Sequence, residues 1–366
     1  MTDNDQATLD VSVDADELAK QKRRTRIQAI VALAVIFLVF VVILPQLIDY
    51  DEVWKAMKRL SFGQLVTLMV LATLRMGASA LLYASVIPGL SFKHSAQSYL
   101  ASNTVAEIAP PPADLAVRFG IYRSLGIGAE PAGVGIILSG IFSIGARLAI
   151  PVVALVALVA SGVDDDVIWL LAVIGVAAVI GAAGIVVLAI KSEDFTRRAG
   201  EWVGKGFNTL LVRFDRDPID EVGQKVVDFR ARIGTTMKKT WPQATVATIL
   251  THVLTFSILL VSMRAVGVSN EQIDWAVLLV AYAVVRLLTL IPLTPGGLGV
   301  AAAGYTFLLT GASDKDLANQ IAAASFLVRI WVWLFPMLVG FIPLAMWRKR
   351  MKADPSQLTR ADDSDG

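Results

Sequence analysis

Long apolar blocks separated by short polar ones run from Ile27 to Met346. Ile27 to Ile48, Leu65 to Ile87, Ala132 to Ser161, Val167 to Ile190, Gln243 to Val266 and Leu317 to Met346 are each long enough, as helices, to cross a hydrocarbon core of about 30 Å. Two further apolar blocks are interrupted. Trp275 to Ile291 leads into Pro292, Pro295, Gly296, Gly297 and Gly299, and Leu298 to Thr310 resumes the helical pattern. Ala96 to Ala109 likewise runs into Pro110-Pro111-Pro112, with Asp114 to Gly126 continuing beyond. Each arm is about 20–25 Å long, too short to span. Broken backbone at membrane depth is tolerated only under a cover of protein or along a polar cavity, so both blocks read as re-entrant helical hairpins. The pattern predicts an all-α polytopic membrane protein with about six full spans and two re-entrant hairpins.

Polar residues between the blocks set the sidedness. Residues 1–26 form a tail, acidic and then basic, whose Lys20, Lys22, Arg23, Arg24 and Arg26 place the N-terminus in the cytoplasm. The membrane domain covers 27–346, and the polar tail 347–366, which opens with Arg348-Lys349-Arg350, returns inside. Asp49 to Gln64 lies outside, where Val53, Trp54, Met57 and Leu60 predict a short interfacial helix. The segment 191–242 is cytoplasmic, with amphipathic helices expected at Phe195 to Phe214 and Val222 to Ile233. The first hairpin then opens from the cytoplasm and the second from outside. Arg75 and Arg147 flank Pro112 much as His252 and Arg329 flank Pro295, which predicts an inverted repeat with a substrate site near the midplane.

Composition excludes a soluble globule, at 55% hydrophobic and 17% charged residues. With no cysteine and only His94 and His252, thiol chemistry, disulfides and a Cys/His metal site are not expected. No cofactor is implied, and the basic residues flank spans without forming a nucleic-acid surface.

The candidate chemistry lies in charges within the apolar blocks. Arg75, Arg147, Arg286 and Arg329 sit near block centres and Arg118 on a hairpin arm, each costing on the order of 2.5–3.5 kcal/mol at a helix centre. Glu107 and Asp114 are the acidic candidates at that depth, fewer than the arginines. Such an excess fits a phosphate, which guanidinium holds through two parallel hydrogen bonds. The free N–H groups and positive dipole end at Thr294, Gly296, Gly297 and Gly299 would add to it. Glu107 is the candidate proton carrier, Asp114 a charge-balancing residue or a plain helix cap, and His252 a proton relay or an interhelical hydrogen-bond partner. Arg264, near an outer end, is expected to bind carbonyls or snorkel.

From about Ile43 to Arg350 these features together resemble the flippase-like membrane domain of lysylphosphatidylglycerol synthases and its stand-alone bacterial relatives. The resemblance is carried by the interfacial helix followed by Arg75, the proline-rich turn before Asp114 and Arg118, Pro295-Gly296-Gly297-Leu298-Gly299, and Arg329. It implies a helical protein that moves anionic or aminoacylated lipids, or lipid-linked intermediates, between leaflets. The chain ends soon after the final span, so no synthase activity is expected. Two departures stand out: the first tip lacks the glycine common in relatives, and Ala301 and Ala302 stand where relatives often carry an acidic residue.

The resulting expectation is a non-enzymatic lipid flippase of the bacterial plasma membrane whose partners are lipids with anionic phosphate head groups. No phosphate-cradling nucleotide loop occurs, so ATP hydrolysis is not expected. One rival is a polyprenyl-phosphate-sugar glycosyltransferase using an acidic residue among Asp49, Asp51 and Glu52. The other is a non-transporting scaffold that recruits a membrane-associated lipid-modifying enzyme through its basic cytoplasmic segment.

Overall fold

The computed structural model describes positions 51, 54, 55, 58, 60–109, 112–163, 166–191, 222–289, 300–310 and 315–353. The first expected span, the segment at 195–214, Pro110-Pro111 and the stretch 290–299 therefore lie outside the described residues. All regular structure among the described residues is helical.

Positions 51, 54, 55 and 58 are helical, as the interfacial reading predicts, and Lys58 Nζ lies 5.3 Å from the Trp54 ring centroid. Helix α1 is Phe62–Val86; Ser61 and Gln64 close a reciprocal capping box at its start. It ends at a turn in which Gly89 takes a φ of 78°, a conformation that favours glycine. Helix α2, Phe92–Ile108, begins at the Ser91 cap and stops at Ala109, which is extended. The following proline enforces that stop, because its ring clashes with a helical preceding residue.

Helix α3 is Ala113–Ser124, and its N-cap is Pro112, without a side-chain hydrogen bond. This corrects the capping role considered for Asp114, which sits in the first turn, where its charge faces the positive helix end. Helix α4, Ala129–Ser161, closes on a left-handed Gly162, and α5 is Asp166–Lys191. Helix α6, Val222–Ala265, is a single 44-residue element, correcting the division into a surface helix and a separate span starting at Gln243. Pro242 lies within it, since a proline forfeits one backbone bond and can kink a helix without ending it.

In the second half, α7 is Trp275–Leu288, capped by Asp274, whose carboxylate accepts from the Ala276 N–H at 2.8 Å. The other hairpin arm is α8, Val300–Leu309. The last long helix joins α9, Lys315–Arg329, through a π-helical turn at Ile330–Leu334 to α10, Phe335–Ala353. Among the described residues, Phe62–Val86, Ala129–Ser161, Arg232–Ala265 and Lys315–Ala353 are long and apolar enough to cross a membrane, while Asp166–Gly181 and Trp275–Leu288 are shorter apolar stretches.

The packing is reciprocal between the halves. Helices α1 and α6, the first long helix of each half, lie against each other; α2 packs on α10, and its counterpart α7 packs on α4. Each hairpin's first arm thus rests on the closing helix of the other half, as a two-fold repeat requires. Because lipid tails are as apolar as the side chains, such contacts depend on close fit. Any side chain at Gly340 of α10 would run into the Leu100 carbonyl and Thr104 hydroxyl of α2. Outward positions of α4, among them Val153, Val156 and Val159, are about 60% exposed, an apolar surface suited to lipid. At one end of the bundle Arg232 of α6 pairs with Glu130 of α4, two exposed groups on the side that the sequence assigns to the cytoplasm.

Candidate functional site

The site begins at Arg75, in the middle of α1. Its Nε donates to Thr255 Oγ1 of α6 at 3.1 Å, and its Nη1 donates to the Val332 carbonyl at 3.3 Å. That carbonyl is available because Pro336, four residues on, has no N–H to offer it. The backbone there shifts register, the Phe335 N–H reaching the Ile330 carbonyl. Such π-helical turns occur frequently at functional sites, and this one directly follows Arg329.

Around Arg75 the fold gathers the other intramembrane charges. Arg147 of α4 lies within electrostatic range of Arg286 and Arg75. Arg329 lies within range of Glu107 and Arg286, and Glu107 within range of Arg329 and Arg75. His252 is close enough to feel Arg286, Arg147 and Arg75, and its Nδ1 pairs with the Tyr282 hydroxyl at 3.2 Å. That contact is the interhelical hydrogen bond considered for it. Among the described residues the cluster therefore holds four guanidinium groups and one carboxylate.

Neutral partners offset part of this charge. Arg286 lies over the Tyr282 ring with its Cζ 5.0 Å from the centroid, and Arg329 over the Trp333 ring at 4.0 Å. Each contact contributes about 0.5–2 kcal/mol, less than the burial cost of one guanidinium, and none supplies a negative charge. Among the described residues the buried Nε of Arg286 has no hydrogen-bond partner, and none of them bonds to Arg147. The arrangement can bind an anion that offers several acceptor oxygens.

Arg118 stands apart from this cluster. Its Nε and Nη2 donate to Ser102 Oγ at 3.0 and 2.9 Å, its Nη1 donates to Tyr83 OH at 2.6 Å, and its guanidinium covers the Tyr83 ring. It braces the two arms of the first hairpin against α1, and Asp114 lies within its electrostatic range. Arg264 donates to the carbonyls of Val268 and Ile273 and to Asn270 Oδ1, closing the loop before α7 as expected of it. Thr294, Gly296, Gly297 and Gly299 fall outside the described residues.

Several partners were not anticipated from the sequence. Tyr282 precedes Arg286 by one helical turn and Trp333 follows Arg329 by one, so spacing alone could have found both. Thr255, the Val332 carbonyl and the pairing of Tyr83 with Arg118 join distant segments and left no local signal.

Comparison with known families agrees with this architecture. The sequence model of the lysylphosphatidylglycerol synthase TM region matches residues 29–340, which includes both hairpins and every charged residue of the cluster. No curated protein matches the chain. A helical membrane domain matched over most of its length makes this chain a member of the lysylphosphatidylglycerol synthase transmembrane-region family.

Proposed function

We propose that this chain is a lipid translocase of the bacterial plasma membrane that moves a phosphate-bearing lipid between leaflets, with both termini in the cytoplasm. The observation that carries the reading is the convergence of Arg75, Arg147, Arg286 and Arg329 with, among the described residues, one nearby carboxylate, Glu107. Membership of a lipid-linked membrane family supports it. The lipid phosphate enters the cluster and accepts charge-assisted hydrogen bonds from the guanidinium groups, which compensates their burial. Acyl chains remain in the bilayer against the exposed apolar faces. Glu107 balances charge while the site is empty. Alternating access follows from one half rocking against the other across the α1–α6 contact.

The test compares the wild-type chain with an Arg147→Gln, Arg329→Gln double variant, using native mass spectrometry of lipids retained in mild detergent and scrambling of labelled lipid in liposomes. A phosphate-bearing lipid held by wild type, and both retention and scrambling lost in the variant, is the expected result. Equal retention and equal scrambling by the two proteins would overturn the proposal. Asp51→Ala serves as the control for the glycosyltransferase alternative and is expected to leave scrambling unchanged.

A further inference from the structure

Asn103 lies on α2 one turn before Glu107, so the two share a helix face. The neighbouring faces of α2 are occupied. On one side Ser95 Oγ donates to the Ala80 carbonyl and Tyr99 stacks on Tyr83, both of α1. On the other, Thr104 Oγ1 donates to the Met337 carbonyl of α10 at 2.8 Å, and Leu100 abuts Gly340. By helical spacing Asn103 and Glu107 fall in the seam between α1 and the last long helix, the seam that Arg75 crosses to reach Val332.

The Asn103 Nδ2 is buried there with no hydrogen-bond partner among the described residues, as is the Arg286 Nε of the adjoining cluster. Buried polar groups are almost always paired, and an orphan at a charged site calls for a partner that the described residues do not supply. Both orphans are donors. A phosphodiester presents acceptor oxygens and no donor, so it matches them, and a neutral amide adds direction without adding to the mutual repulsion of the arginines.

We infer that Asn103 is a head-group recognition residue whose amide N–H donates to a phosphate oxygen of the transported lipid, beside Arg75 and Arg286. This rests on the translocase reading and adds to it a residue that neither charge nor motif marks. It also predicts an unusual pair of responses. Removing a donor that is unpaired in the empty protein does not lower its stability, while removing a donor that is paired in the loaded protein weakens binding.

The experiment uses the purified full chain with phosphatidylglycerol as probe, diacylglycerol as its phosphate-free counterpart and inorganic phosphate as a separate arm. Lipid retention is read by native mass spectrometry and stability by thermal unfolding. Asn103→Leu is expected to hold phosphatidylglycerol about tenfold more weakly, with an unchanged or higher midpoint and no change toward diacylglycerol. Asn103→Asp, nearly the same shape, sets a carboxylate against the phosphate and is expected to weaken retention further. Loss of binding in the lipid arm, with or without loss in the inorganic arm, upholds the head-group contact; loss confined to the inorganic arm would identify a free anion as the partner and overturn it. Wild-type retention by both Asn103 variants, together with loss in the Arg147→Gln, Arg329→Gln variant, would overturn the assignment while leaving the translocase reading in place. Failure of the wild-type chain itself to retain phosphatidylglycerol or phosphate would overturn both.

Discussion

Arg75, Arg118, Arg147, Arg286 and Arg329 lie within the apolar blocks or on a hairpin arm, and their surroundings divide them. Arg118 is enclosed by neutral acceptors and an aromatic face, three of its donors being used within the first hairpin and α1. Its surroundings are those of a brace. Lysine carries the charge but cannot form the fork to Ser102 while also reaching Tyr83. Arg118→Lys is therefore expected to cost about 1.5–3 kcal/mol of stability in thermal unfolding while leaving phosphatidylglycerol retention close to wild type. Arg147 and Arg286 differ, with a guanidinium that no described residue bonds and a buried orphan Nε. The Arg147 guanidinium and the Arg286 Nε keep hydrogen-bonding capacity open among the described residues, the condition expected of groups that meet a ligand.

At the level of elements, the break in the last long helix ties the charges to the backbone. Pro336 withholds a donor from Val332, the turn widens to π geometry, and Arg75 takes the vacant carbonyl. Position, hydrogen bond and helix defect form one unit. Pro336→Ala restores the missing N–H, which then competes with Arg75 and favours regular α geometry. The expected outcome is a chain about 0.5–1.5 kcal/mol more stable in thermal unfolding, with slower lipid scrambling. A variant that is less stable, with scrambling intact, would show that the proline serves only local packing. Pro151, four residues after Arg147 in α4, packs against Gly175 of α5 and leaves the Arg147 carbonyl without a helical donor in the same way.

For the whole molecule, the reciprocal packing of α2 on α10 and α7 on α4 makes the charged cluster a product of both halves. Neither half alone assembles it: Arg75, Glu107 and Arg147 come from the first, and His252, Arg286 and Arg329 from the second. The sidedness of this arrangement is directly testable because the chain has no cysteine of its own. Ala129→Cys and Asp166→Cys place single exposed thiols at opposite ends of the 33-residue α4, about 50 Å apart. A membrane-impermeant maleimide is expected to label Asp166→Cys in intact cells and Ala129→Cys only after permeabilisation, following the basic flanks of the spans. Labelling of both from one side would contradict the assigned topology.

The hydrophobic pattern by itself determined the helical membrane class, the placement of α1, α4 and α5 to within a few residues, and the helix ends near Ile108 and Leu288. These are local properties, since apolar length sets whether a helix can cross and a proline acts on its own turn. The same reasoning divided α6 in two, because a polar-to-apolar change at Pro242 marks where a helix enters the bilayer and not where it ends. The intramembrane arginines were equally plain as a list, their burial cost being visible in the sequence. Which of them act together was decided only by tertiary structure. Arg118 and Arg75 look alike as charges within apolar runs, yet one meets Ser102 and Tyr83 while the other meets Thr255 and an orphaned carbonyl. Asn103 carried no signal at all, because an amide on a helix acquires its meaning from what packs on either side of it. Partners that lie far apart in sequence are chosen by how the helices pack, and no local pattern encodes that choice.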